Sequence, residues 1–194
     1  MAAFFTVYFL LLNHPRAAVT TVPLIAADRL VPFLPWALPL YASLWVYVAL
    51  APSLLDDRGD LLSYLGAAAA LSAAGFAVFF LWPTCVPRPA IDWSIHPTFA
   101  RLKTMDASGN AFPSLHVAFA VFTAVWLGRL LRAMDAGLAP FFLNWLWCMG
   151  IVFSTLAIRQ HVALDALSGA LLGAAAAIAH AHFLTFLRTR DAIR

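Results

Sequence analysis

Long charge-free apolar runs separated by short polar breaks dominate this chain. Such runs cover residues 31–52, 61–82, 113–128 and 136–158, and a last one, 162–187, carries a single charge, Asp165, near its start. About 20 apolar residues in a helix cross the hydrocarbon core of a bilayer, so the pattern predicts five transmembrane helices. The third run reaches that length by continuing past Arg129, whose long stem can carry its charge toward the surface. Residues 2–12 are too few to cross alone. They are expected as an interfacial helix, or as half of a sixth span running to about Pro23. Pro32, Pro35 and Pro39 predict an irregular, kinked start to the first confident span.

The breaks differ in kind. Residues 56–60 read as a tight charged turn, and 131–136 as a short link carrying Arg132 and Asp135. Residues 83–112 form a much longer loop with Arg88, Asp92, His96, Arg101, Lys103 and Asp106. An irregular loop of that length is usually functional. Trp93, Ile95, Phe99 and Leu102 can give it an interfacial amphipathic piece. Gly169 and Gly173 stand four apart in the last run, the spacing that lets helices approach closely, here expected within the bundle and not between copies.

Composition removes the soluble alternative. At 63% hydrophobic and 11% charged, the chain has too little polar surface for a water-soluble fold of 194 residues. The expected architecture is therefore all-α, a polytopic transmembrane helix bundle forming one domain over residues 1–194, with the bilayer as its solvent. A net charge of +3, with no basic stripe interleaved with aromatics, argues against a nucleic-acid partner. Cys85 follows an apolar run and Cys148 lies inside another, so no disulfide is expected between them. The apolar N-terminus lacks a basic n-region and reads as retained. Oligomeric state leaves no signature.

Two strings carry candidate chemistry: Phe112-Pro113-Ser114-Leu115-His116 and Arg159-Gln160-His161-Val162-Ala163-Leu164-Asp165. Each opens an apolar run with a histidine, and ionisable groups at such positions are functional candidates. Counting crossings puts Arg88, His116, Arg159 and His161 at the same membrane face. Proline suits the first turn of a helix, and the unpaired N–H groups there suit an anion, above all a phosphate. Arg88 and Arg159 can clamp its oxygens, with Ser114 as a further contact and Lys103 as help from the loop. The four-residue spacing of His161 and Asp165 predicts that they share one helix face, so that the carboxylate orients the imidazole for attack on phosphorus. His116 then serves as general acid. That set needs no metal and no cofactor.

Here the chain resembles the type 2 phosphatidic acid phosphatase superfamily, whose signatures are KxxxxxxRP, PSGH and SRxxxxxHxxxD. Arg88-Pro89 matches the first, Pro113-Ser114-Leu115-His116 the second, and Ser154, His161 and Asp165 the third, over about residues 80–175. The resemblance implies a phosphohistidine at His161, with Asp165 as its partner, His116 as acid and base, and Arg88 as a phosphate ligand. Leu81, Leu115 and Thr155 depart from the signatures at the lysine, glycine and arginine positions. The PSLH string looks more like the branch that includes inositol phosphorylceramide synthases and their bacterial relatives. On a continuous helix, Arg159 would lie about 40° from position 155 and so replace the missing arginine.

The expected activity is hydrolysis of a lipid phosphomonoester or diphosphate. Phosphoryl transfer to an alcohol such as inositol, a non-enzymatic lipid-binding or transport role, and a metal site built on His116, His161 and Asp165 are the alternatives. With Arg88 and Arg159 set aside as functional, four basic residues (Arg16, Arg29, Arg101, Lys103) lie on the site side and six (Arg58, Arg129, Arg132, Arg188, Arg190, Arg194) on the other. The positive-inside rule then places the C-terminus in the cytoplasm, and the site at the periplasmic or exterior face of what is expected to be a bacterial inner membrane.

Overall fold

The computed structural model describes residues 2–99 and 109–192, the stretch 185–192 as backbone only. Its helices are α1 (Ala2–Asn13), α2 (Ala26–Leu30), α3 (Leu38–Ala42), α4 (Leu44–Ser53), α5 (Arg58–Leu81), α6 (Leu115–Ala133), α7 (Leu138–Ala157) and α8 (Ala163–Ala192). Five segments are long and apolar enough to cross a membrane: Pro35–Ser53, Arg58–Leu81, Leu115–Ala133, Leu138–Ala157 and Ala163–Leu184. These coincide with the five predicted runs. The first is broken, as its prolines foretell. It starts with a 3-10 turn, Pro35–Ala37, and breaks again at Ser43, between α3 and α4. The Ser43 hydroxyl donates to the Leu40 carbonyl (2.6 Å) and accepts from the Trp147 indole (2.8 Å), so the break is tied to α7.

Of the two expectations for the N-terminal segment, the sixth span running to about Pro23 is not met. Helix α1 ends at Asn13, well short of Pro23, because Pro15 disfavours helical backbone at His14. Twelve residues reach only about 18 Å, against roughly 30 Å of hydrocarbon core. The helix is packed on the bundle along its length. Phe4 packs on Phe76 of α5 (5.1 Å) and Phe119 of α6 (5.9 Å), and the Tyr8 carbonyl accepts from Asn110 Nδ2 (2.9 Å). The chain then forms a two-residue strand, β1 (Thr20–Thr21), parallel to β2 (Thr84–Cys85), and Thr84 also bridges to Asn110. This small pairing was not foreseen. It ties the segment leading to Arg88 to the one leading to His116.

Helix α6 is the central one. Of its span, 56% is buried, against 22–28% for the other four. On α7, Leu138, Phe142, Leu146, Met149 and Phe153 form an exposed stripe at helical spacing, the arrangement expected when lipid is the solvent. Between α6 and α8 the contact is backbone to backbone. A Cβ on Gly169 would run into the Ser114 carbonyl, and one on Gly173 into that of Ala118. The GxxxG pair thus packs inside the bundle, as expected.

A five-residue link joins α7 to α8. The Arg159 N–H donates to Leu156 O (3.1 Å) and the Gln160 N–H to Thr155 O (3.1 Å), the bond pair of a Schellman C-cap. Glycine usually holds the left-handed position of that motif; here it is Arg159, at φ 59°. Because α7 ends at Ala157, the continuous-helix relation between Arg159 and position 155 does not hold.

Two predictions follow from this framework. Gly173→Ala should lower the apparent melting temperature in detergent micelles, since overpacking a tight interface costs about 1–3 kcal/mol. Arg159→Ala and Arg159→Gly both delete the guanidinium, but only glycine relieves the left-handed backbone. Unfolding curves should therefore rank Arg159→Gly above Arg159→Ala by about 1 kcal/mol; equal stabilities would contradict the cap geometry.

Candidate active site

The first turn of α8 organises the site. Asp165 is fully buried; its Oδ1 accepts from the Val162 N–H (2.8 Å) and its Oδ2 faces His161 Nδ1 (3.0 Å). His161 precedes the helix, so the pair does not share a helix face as the spacing suggested. Instead Asp165 reaches back over the helix start, as the third residue of a capping box does. A carboxylate only accepts, so Nδ1 carries the hydrogen and the Nε2 lone pair is left for chemistry. The His161 side chain is 12% exposed.

Helix α6 starts beside it. The Ser114 N–H donates to the Asp165 carbonyl (3.0 Å), which joins the two helix starts directly. Ser114 is fully buried and caps α6, its Oγ accepting from the Val117 N–H (3.2 Å). This is the capping role, and Ser114 is not among the cleft residues named below. His116, in the first turn, lies within electrostatic range of His161. Its ring donates to the Tyr41 carbonyl and stacks on the Tyr41 ring, while Nε2 is buried with no hydrogen-bond partner among the described residues. Leu115, at the position of the signature glycine, fills the space left by Gly75 on α5, where a Cβ would collide with it.

His161, Arg88 and Arg159 line one cleft of about 350 Å³, together with Asp28 and Arg29. Arg88 stands between Pro87 and Pro89, an extended stretch just after β2. The Arg159 guanidinium donates to the carbonyls of Asp28 (3.2 Å) and Val31 (2.7 Å). Apolar groups, among them Leu24, Phe33, Val86 and Ile91, complete the wall. At the signature's lysine position, Leu81 ends α5 and is 73% exposed. Thr155, at the arginine position, is buried, and its carbonyl accepts the N–H groups of Gln160 and His161 (both 3.1 Å). Lys103 lies outside the described residues. Among the described residues, no cluster of three or more His, Cys, Asp or Glu is arranged to hold a metal.

Asp28, Arg29 and Tyr41 were not anticipated. Asp28 is 4% exposed, and its carboxylate accepts from the Ala163 N–H (2.7 Å) and the Ile25 N–H (2.8 Å). It therefore caps α8 from a distant part of the chain. One signal was legible, a lone Asp-Arg pair in a segment otherwise free of charge between Arg16 and Asp56.

The arrangement can bind an anion and present an imidazole lone pair to it. Two helix starts point at one face, arginines line the cleft, and both nearby carboxylates are occupied by N–H donors. No curated protein and no solved structure matches the chain. Residues 60–188, which run from the first turn of α5 into the last turns of α8 and include Arg88, His116, His161 and Asp165, match the PAP2 superfamily, and the chain belongs to it.

Proposed function

We propose that this protein is a membrane-embedded lipid phosphatase that hydrolyses a lipid phosphomonoester or diphosphate through a phosphohistidine. The observation that carries the reading is His161, held by the buried Asp165 carboxylate and opening onto a cleft lined by Arg88 and Arg159. The phosphate lies against the two guanidinium groups, with Lys103 as a further cation from the long loop, and the lipid tail lies in the bilayer. His161 Nε2 attacks phosphorus while Asp165 holds Nδ1–H and stabilises the charge that develops on the ring. His116 gives a proton to the leaving oxygen, and the lipid departs as an alcohol from a monoester or as its monophosphate from a diphosphate. His116 then takes a proton from water as that water attacks the phosphohistidine, releasing phosphate and restoring both rings.

No step in this scheme calls for a metal. The site faces the periplasm or exterior in the orientation that the basic residues favour. The PSLH string supports placing the protein near the inositol phosphorylceramide synthase branch, where an alcohol takes the place of water in the second step.

Phosphate release from a lipid-phosphate panel in micelles tests the reading. His161→Ala should lower turnover by roughly a thousand-fold or more, and brief incubation with a radiolabelled substrate should leave acid-labile label on wild type only. Activity should survive EDTA. Unchanged turnover in His161→Ala would reject the nucleophile. Turnover that depends on added inositol or glycerol and releases little free phosphate would favour the transferase.

A further inference from the structure

His116 has two contacts with a single residue of another helix. The Tyr41 ring lies flat on the imidazole, with centroids 4.0 Å apart and planes 8° apart. The Tyr41 backbone carbonyl accepts a hydrogen bond from the same imidazole. Because Nε2 has no hydrogen-bond partner among the described residues, Tyr41 included, that bond uses Nδ1. A carbonyl cannot donate, so Nδ1 must carry a hydrogen, and only Nε2 can gain or lose a proton during turnover.

We infer that Tyr41 is a positioning residue for the proton donor: its carbonyl fixes which nitrogen of His116 exchanges protons, and its ring fixes the plane in which that nitrogen points. With no partner on Nε2 among the described residues, one hydrogen bond leaves the imidazole free to tilt about the Nδ1 contact. The stacked ring removes that freedom. An aromatic face also attracts the ring more strongly when it carries the second proton, the form that must donate. The other titratable groups at this helix start are His161, across from His116, and Asp165, whose carboxylate is turned to His161 and Val162. Neither holds the His116 ring. Tyr41 lies in α3, outside the 60–188 match, so the first span supplies a part of the site.

The inference rests on the reading of His116 as general acid, and the test separates the two. Two substrates share one lipid tail, an alkyl phosphate and a nitrophenyl phosphate carrying the same chain. The alkoxide needs a proton to leave; the nitrophenolate does not. Single-turnover release of the alcohol or phenol reports the first step alone. His116→Ala should slow the alkyl ester by roughly a hundred-fold more than the nitrophenyl ester. Tyr41→Leu should show the same selective loss, roughly ten-fold or more on the alkyl ester, with the nitrophenyl ester within about two-fold of wild type. Tyr41→Phe should restore both. Equal losses on both esters in Tyr41→Leu, or none, would overturn the role of Tyr41 while leaving His116 intact. The absence of selective loss in His116→Ala would overturn the general acid, and the inference with it.

Discussion

The site depends on how closely α6 and α8 approach. Lipid tails are as apolar as leucine, so helices in a bilayer gain little from burying apolar side chains against each other; contact between small residues and backbone must hold them. Gly169 and Gly173 let α8 lie directly on the carbonyls of Ser114 and Ala118. Both pairs are four residues apart, so they fix the register as well as the distance. At the upper end of this seam the Ser114 N–H meets the Asp165 carbonyl at 3.0 Å. A shift by one turn would break that bond and move one histidine about 5 Å along the helix from the other.

Electrostatics then gives the assembled face its sign. Two helix starts project partial positive charge into one region, and Arg29, Arg88 and Arg159 add to it. Asp28 and Asp165 offset part of that charge, but their oxygens are turned to the N–H groups of α8 and the segment before α2, and to His161. A cleft of this kind prefers an anion with several oxygens to a cation. The same geometry explains why the carboxylate near the histidine is buried and not solvated, since only a fixed acceptor keeps the proton on Nδ1.

The spans were legible because length and hydropathy alone specify them, and the face shared by the histidines followed from counting crossings. The details of the site were less legible. Spacing foretold that His161 and Asp165 meet, but not that they meet over a helix start, because the end of α7 and the start of α8 are set by tertiary packing. The angle assigned to Arg159 assumed a helix that in fact stops at Ala157. Pairing of β1 with β2 involves two residues on each strand, too few to leave a periodic signal. Asp28 and Tyr41 were missed for a related reason: each acts on residues more than 70 positions away in the chain, and nothing local marks that partnership.

The N-terminal third completes the site even though it lies outside the family match. Arg159 shows this most directly. A left-handed arginine is unfavourable where glycine would serve, so the backbone alone does not favour it. Its guanidinium binds the Asp28 and Val31 carbonyls, and the Asp28 carboxylate binds the start of α8. The segment around α2 is thereby fastened to both sides of His161, to the turn before it and to the helix after it. The strain at Arg159 is offset by that attachment, since a glycine turn would lose the bonds to the Asp28 and Val31 carbonyls and leave α2 held to this region by the Asp28 carboxylate. The unit that forms the cleft is therefore larger than the stretch that carries the signatures, and the cleft needs both parts of the chain to exist.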